Sequence, residues 1–164
     1  MIGSKYILLI DAFLVLGSLF AVWFIADYAQ PLVIAPLDDY TTFNNSVLFE
    51  FEKADLILID NNLDFSSPRE VYVQNNILIN LAPGVYYWKV VGALESEVRE
   101  LTIESDVDLK IREAQDGNYE VVNAGNTELE VDIYDHGRLS GKIILGVEES
   151  SEAEGDKFVG GENG

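Results

Sequence analysis

Few side chains in this 164-residue chain are of the types that carry covalent or metal chemistry. There is no cysteine, which removes thiolate nucleophiles, thiolate metal ligands and disulfides together. The one histidine, His136, lies in the turn-like stretch YDHGRLSG, Tyr134 to Gly141. A catalytic relay needs an imidazole oriented by a partner beside a hydroxyl or thiol. The neighbours of His136 in sequence supply no such pairing, and it reads as a polar turn residue. G-x-S-x-G, H-E-x-x-H and Gly-rich phosphate loops do not occur,. The 29 acidic residues are abundant, but no pair stands apart for acid–base work. The expectation is no catalytic residue, no cofactor and no enzyme.

The metal candidate is DNNLD. Asp60, Asn62 and Asp64 have the 1-3-5 spacing of calcium loops. An EF-hand loop then requires Gly at its sixth place and Glu at its twelfth. Phe65 and Val71 stand there. The segment is read either as a calcium site of another kind or as a β-turn. Asn44-Asn45-Ser46 is an N-glycosylation sequon,.

The net charge is −19. A surface so acidic repels phosphate backbones, so nucleic acid is not an expected partner, and it adheres poorly to anionic lipid headgroups. A solubilising surface, a high-salt habitat and a cationic partner all fit that charge.

Tyr6 to Ile25, YILLIDAFLVLGSLFAVWFI, is apolar apart from Asp11. As a helix at 1.5 Å per residue it spans roughly 30 Å, the thickness of a bilayer core. The run exceeds a signal-peptide core of about 7–15 residues. Pro36 would follow the candidate cleavage site VIAP. The segment is read as an uncleaved membrane helix over 6–28, with a cleaved signal or a buried soluble helix as alternatives. Lys5 precedes it, and Asp27, Asp38 and Asp39 follow. Positive-inside bias therefore places 1–5 in the cytoplasm and the bulk of the chain outside, as a single-pass cell-membrane protein. Trp23 and Tyr28 would sit at the outer interface. Asp11 is costly inside a bilayer. It either reaches the nearby interface or pairs with another membrane subunit. Gly3 followed by an acid resembles type IV pilins, but the spacing and the acid type differ.

These elements position a mainly β body. A stalk and first strand are expected over 29–43, stiffened by Pro31 and Pro36. From 44 to 104, short alternating segments recur about every ten residues, the pattern of a sandwich or barrel. Val47, Phe49 and Phe51 point one way; Ile77, Ile79 and Leu81, then Tyr86, Trp88 and Val90, then Leu101 and Ile103 do likewise. REVYVQ reads as an edge strand. Leu81-Ala-Pro83-Gly84-Val-Tyr86 has the form L-x-P-G-x-Y. It resembles the tyrosine corner of fibronectin type III domains, in which the tyrosine hydroxyl returns to nearby backbone. The resemblance implies that Leu81 plugs the core, Pro83 and Gly84 make the turn, Tyr86 locks the corner and Trp88 fills the space between sheets. It also implies that Phe51 replaces a strand-B tryptophan and that Phe65 is an apolar contact after strand C.

A second β domain is expected over 105–159, with Val107, Leu109 and Ile111, then Leu129, Val131 and Ile133, facing inward. Asp116-Gly117 signals a hairpin. Val121 to Asn126, VxNxGN, resembles an element of small immunoglobulin-like domains of prokaryotic surface proteins. In that resemblance Asn123, Gly125 and Asn126 form a turn between antiparallel strands. The acidic tail is expected to be disordered over 160–164, or to supply a strand from DKFVGG. The whole reads as two β-sandwich modules on a transmembrane helix, with a structural or binding role at the cell envelope and a protein or cell-envelope glycan as partner. A pilin-like filament subunit, and an accessory subunit associating through Asp11, are the alternatives. Tyr87, the Asp60–Asp64 loop and the turn around His136 are the expected contact features.

Overall fold

The computed structural model describes residues 4–114 and 118–162. It is mainly β, with one N-terminal helix. The expected Asp116-Gly117 hairpin lies outside the described residues.

Helix α1, Ser4–Ala29, is apolar on every side. Within it Leu8–Ile25 is long and apolar enough to cross a membrane, and none of that stretch is buried against the rest of the chain. A helix with no polar face has no sided preference for a protein core.

The first module contains eight strands: β1 Leu32–Ala35, β2 Tyr40–Thr42, β3 Ser46–Glu52, β4 Ala54–Asp60, β5 Arg69–Tyr72, β6 Asn76–Asn80, β7 Gly84–Gly92 and β8 Arg99–Ile103. They form a three-stranded sheet, β1-β3-β6, and a five-stranded sheet, β2-β8-β7-β4-β5. The two sheets enclose one apolar core, the arrangement of a β-sandwich. The alternating residues meet between the sheets. Phe49, Ile57, Trp88, Val90 and Leu101 are wholly buried. Phe49 meets Trp88 edge-on, with ring centroids 4.9 Å apart. The glycine at 92 is required, because a Cβ there would lie 2.1 Å from the Lys53 carbonyl.

The segment expected as a stalk and first strand, 29–43, holds two short strands. β1 pairs with β3, and the chain then crosses at Pro36 so that β2 runs parallel to β8. LVIA between two prolines is too short to show alternation, so only pairing reveals it as a strand.

The second module contains six strands: β9 Leu109–Glu113, β10 Tyr119–Asn123, β11 Leu129–Asp135, β12 Arg138–Leu145, β13 Ser150–Ala153 and β14 Lys157–Glu162. Its sheets are β13-β10-β9 and β12-β11-β14. Val121, Leu129, Val131, Ile133, Leu145 and Ala153 form its core.

Three expectations change here. Residues 160–162 are not a loose tail: Gly160, Gly161 and Glu162 pair with Val131, Glu130 and Leu129. Asp-His-Gly-Arg is a tight turn rather than a long one, with His136 at φ 50° and Gly137 at φ 75°, the left-handed pair of a two-residue hairpin. Val107 and Ile111 stay 45% and 46% exposed, where inward burial was expected.

Candidate functional site

Three places could carry function: the joints that link the elements, the cleft at the Asp60 loop, and the far end of the second module.

The joint between modules is built from the VxNxGN motif. Asn123 ends β10 and is wholly buried. Its amide donates to the Thr127, Leu145 and Gly146 carbonyls at 2.7, 3.2 and 3.1 Å, and its Oδ1 accepts from Gly125 N–H at 3.0 Å. A buried amide with four partners is fully satisfied and fixes the backbone around it. At Gly125 an added Cβ would lie 2.1 Å from the Asp106 carbonyl, so the linker packs directly on glycine. Asn126 then crosses the joint. Its Nδ2 donates to the Phe43 and Glu104 carbonyls of the first module at 2.6 and 2.7 Å, and its Oδ1 accepts from Asp106 N–H at 2.6 Å. Asn45 donates back to the Asn126 carbonyl at 2.8 Å. Sequence reasoning found the turn and missed the joint, because Phe43, Asn45 and Asn126 lie some 80 positions apart.

At the other end of the first module, Lys53 Nζ donates to the Tyr28 carbonyl at 3.0 Å and lies 4.8 Å from the centre of its ring. The helix end is thereby held at the β3–β4 turn. Arg99 reinforces the crossover, donating to the Pro36 and Val33 carbonyls.

Asp60 is 5% exposed. Its Oδ2 accepts from Ser67 N–H at 2.9 Å and its Oδ1 from Asn62 N–H at 3.0 Å. These bonds, led by the one from Ser67, hold its carboxyl below the usual carboxylate range against the opposing effect of burial,. Asp64 instead accepts from Ser66 N–H at 3.2 Å. The three candidate ligands thus do separate work: Asp60 closes the loop, Asn62 is its partner, and Asp64 caps a second small turn. Phe65 sits at φ 51° with Lys89 Nζ 4.9 Å from its ring centre.

Asp60 shares a cleft of about 360 Å³ with Leu81 and Tyr86. Tyr86 donates its hydroxyl to the Ala82 carbonyl at 2.9 Å, and burial raises its pKa. Gly84, at φ 156°, lies under the Tyr86 ring. Trp88 is wholly buried, and its indole N–H has no partner. A second groove, about 390 Å³, is lined by Pro36, Leu37, Tyr40, Leu48 and Leu78. It opens where the chain leaves β1 at Pro36 to join the other sheet. The sequon residue Asn44 is exposed, and its Oδ1 accepts from Ser46 N–H at 2.9 Å.

At the far end, Asp135, His136 and Asp156 bring one donor atom each within 4.8 Å of one another. His136 Nδ1 is 2.7 Å from Asp135 Oδ1, and His136 N–H donates to Asp156 Oδ2 at 2.9 Å. One imidazole and two carboxylates are a donor set for a divalent cation. All three are exposed, and their mutual bonds also serve the hairpin. The sequence shows Asp135 beside His136; only the pairing of β11 with β14 brings Asp156 to them.

No family model matches the chain, and no curated protein matches it. Among solved structures, Escherichia coli alpha-2-macroglobulin spanning domains NIE-MG1 is 10% identical, over 83% of this chain and 94% of that one, with a TM-score of 0.32. The form spanning MG0-NIE-MG1 is 12% identical over 82% and 62%, with a TM-score of 0.30. The Pseudomonas aeruginosa CupB2 chaperone is 11% identical over 72% and 88%, with a TM-score of 0.24. Likeness at these scores adds nothing to the sandwich description above.

Proposed function

We propose that the chain is a membrane-anchored, extracytoplasmic β-sandwich protein with a structural or binding role at the cell envelope. The observation that carries this reading is the series of joints. An unburied apolar helix is tied to the first module through Tyr28 and Lys53, and that module is tied to the second through Asn126. The helix end and Asn126 meet opposite ends of the first module. At about 3.3 Å per residue, two modules end to end place the His136 turn roughly 50 Å from the helix. Such an arrangement holds a surface at a set distance from a bilayer. The L-x-P-G-x-Y corner supports a fibronectin type III assignment for the first module, and the buried VxNxGN supports a small surface-protein type for the second. We read the role as non-catalytic, since the one imidazole is a hairpin residue.

The absence of cysteine makes a clean test possible. The variant Ser140→Cys is expected to react with a membrane-impermeant maleimide in intact cells, while the protein stays in the membrane after an alkaline wash. Labelling only after lysis, or release by the wash, would overturn the reading.

A second reading is favoured by Asp11. It stands exposed inside the apolar helix, where a carboxylate calls for a partner in a bilayer. On this reading the chain is an accessory subunit, and Asp11→Leu abolishes recovery of one membrane partner in mild detergent. A pilin-like subunit would instead be processed near Gly3, which lies outside the described residues.

A further inference from the structure

Eleven asparagines occur in the chain, and Asn44 alone begins an Asn-x-Ser/Thr tripeptide. It lies in the short connection between β2 and β3. The asparagines around it serve the joint: Asn45, Asn123 and Asn126 each donate a side-chain N–H to a backbone carbonyl. Asn44 differs. Its Oδ1 accepts from Ser46 N–H at 2.9 Å. A backbone N–H needs an acceptor, so this bond fixes the amide with its oxygen toward the backbone and its nitrogen toward solvent. Asn44 and Ser46 are both exposed. Among the described residues nothing bonds the Asn44 Nδ2 or the Ser46 hydroxyl.

The same two residues line the groove of about 390 Å³. Its apolar walls are open to solvent: Leu37 is 69% exposed, Leu78 65%, Leu48 44% and Tyr40 42%. Leu48 and Leu78 stand opposite each other on the β3–β6 ladder. They point away from the core, since the alternate residues Val47, Phe49 and Ile79 are buried,. An acceptor amide and an open apolar surface thus share one groove. A sugar suits both, because its C–H faces pack on apolar side chains while its hydroxyls stay in water. A sugar linked to Asn44 also needs little affinity of its own, since the linkage holds it at high effective concentration.

We propose that Asn44 is a modification site carrying an N-linked oligosaccharide, whose first sugars lie along the groove over Tyr40 and Leu48. The donor is a sugar chain carried on a lipid phosphate. Asn44 Nδ2 forms a bond to the anomeric carbon of the first sugar. The bond from that carbon to the phosphate oxygen breaks, and the lipid phosphate leaves with the electron pair. Nδ2 gives up one proton to solvent. Ser46 supplies the hydroxyl that the acceptor tripeptide requires, and the bulky, polar sugar covers the exposed leucines. The inference rests on the extracytoplasmic reading above.

The test is mass spectrometry of the full chain, isolated in mild detergent from the membranes of the cells that make it. The mass is expected to exceed the 18.2 kDa of the bare chain by whole sugar residues, with fragmentation placing them on Asn44. Asn44→Gln and Ser46→Ala should both lose the added mass, and Ser46→Thr should keep it. Hydroxyl-radical footprinting reads the groove. Tyr40 and Leu48 should be labelled about threefold less in the wild type than in Asn44→Gln, because a bulky sugar shields them. Tyr72, 73% exposed on β5, should be labelled equally in both. A bare Asn44, sugar retained in Ser46→Ala, or equal labelling of Tyr40 and Leu48 in both chains overturns the proposal. A bare Asn44 in a chain whose Ser140→Cys variant reacts with maleimide from outside overturns this inference and leaves the extracytoplasmic reading standing.

Discussion

The first module is built around a central tryptophan, whereas the second is tied at one end by a buried asparagine. Trp88 fills the space between eight strands, in a core of eleven buried apolar residues among those described. Asn123 sits at one end of a six-stranded module whose core has six. The difference teaches how the two hold together. Large apolar area stabilises the first, at about 25 cal/mol per Å² buried. The second has less of it, and relies on a satisfied buried amide and on contact with its neighbour. Modules of roughly 60 residues bury a smaller share of their surface and are correspondingly marginal.

The largest expected effect breaks the first module alone. Trp88→Ala should cost about 3–5 kcal/mol, as large aromatic truncations do. Trp88→Phe should cost clearly less, because the indole N–H has no partner to lose. Urea unfolding followed by residue-level exchange checks both. A Trp88→Ala chain whose first module unfolds at the wild-type midpoint would refute the tryptophan-centred account.

Next comes Asn123→Ala in the second module. It leaves the Leu145, Gly146 and Thr127 carbonyls without that donor and should cost about 2–3 kcal/mol. The same measurement should show the loss in β10–β14 and not in β3–β8.

Asn126→Ala tests the joint. It removes three hydrogen bonds, two of them between modules, and should cost about 1–3 kcal/mol given its partial exposure. The diagnostic is cooperativity: the two modules should unfold in separate calorimetric transitions. A single unchanged transition would show that the modules stay coupled without Asn126.

Tyr86→Phe should cost the first module about 1 kcal/mol, the worth of one neutral hydrogen bond, with the second unaffected.

The smallest effect is set by pH. The Asp60 carboxyl is held below its unfolded value, so the folded state favours its ionised form. That contribution is present above the unfolded carboxylate range, near pH 4. It falls away as pH drops through the lowered folded value. Asp60→Asn should flatten this part of the acid titration of first-module stability. An unchanged acid limb would show that the carboxylate does not support the loop.

Much of the first module is legible in the amino-acid order. Val47, Phe49 and Phe51 alternate cleanly because one face of β3 is core and the other solvent. The corner around Tyr86 is local, its hydroxyl bond spanning four residues. β1 and β2 were hidden because four and three residues carry no readable period. β13 was hidden for another reason: SSEA is polar, and its strand state comes from its partner rather than propensity,. DKFVGG left a strand and a loose tail both open, and pairing with β11 decided for the strand.

The amino-acid order alone determined the apolar helix, the class of the body and the position of its turns, because periodicity and turn chemistry act between near neighbours. The tertiary structure decided which distant groups meet: Asn126 with Phe43 and Glu104, and Asp156 with the His136 turn. Those meetings depend on strand pairing across tens of residues, which no local pattern encodes.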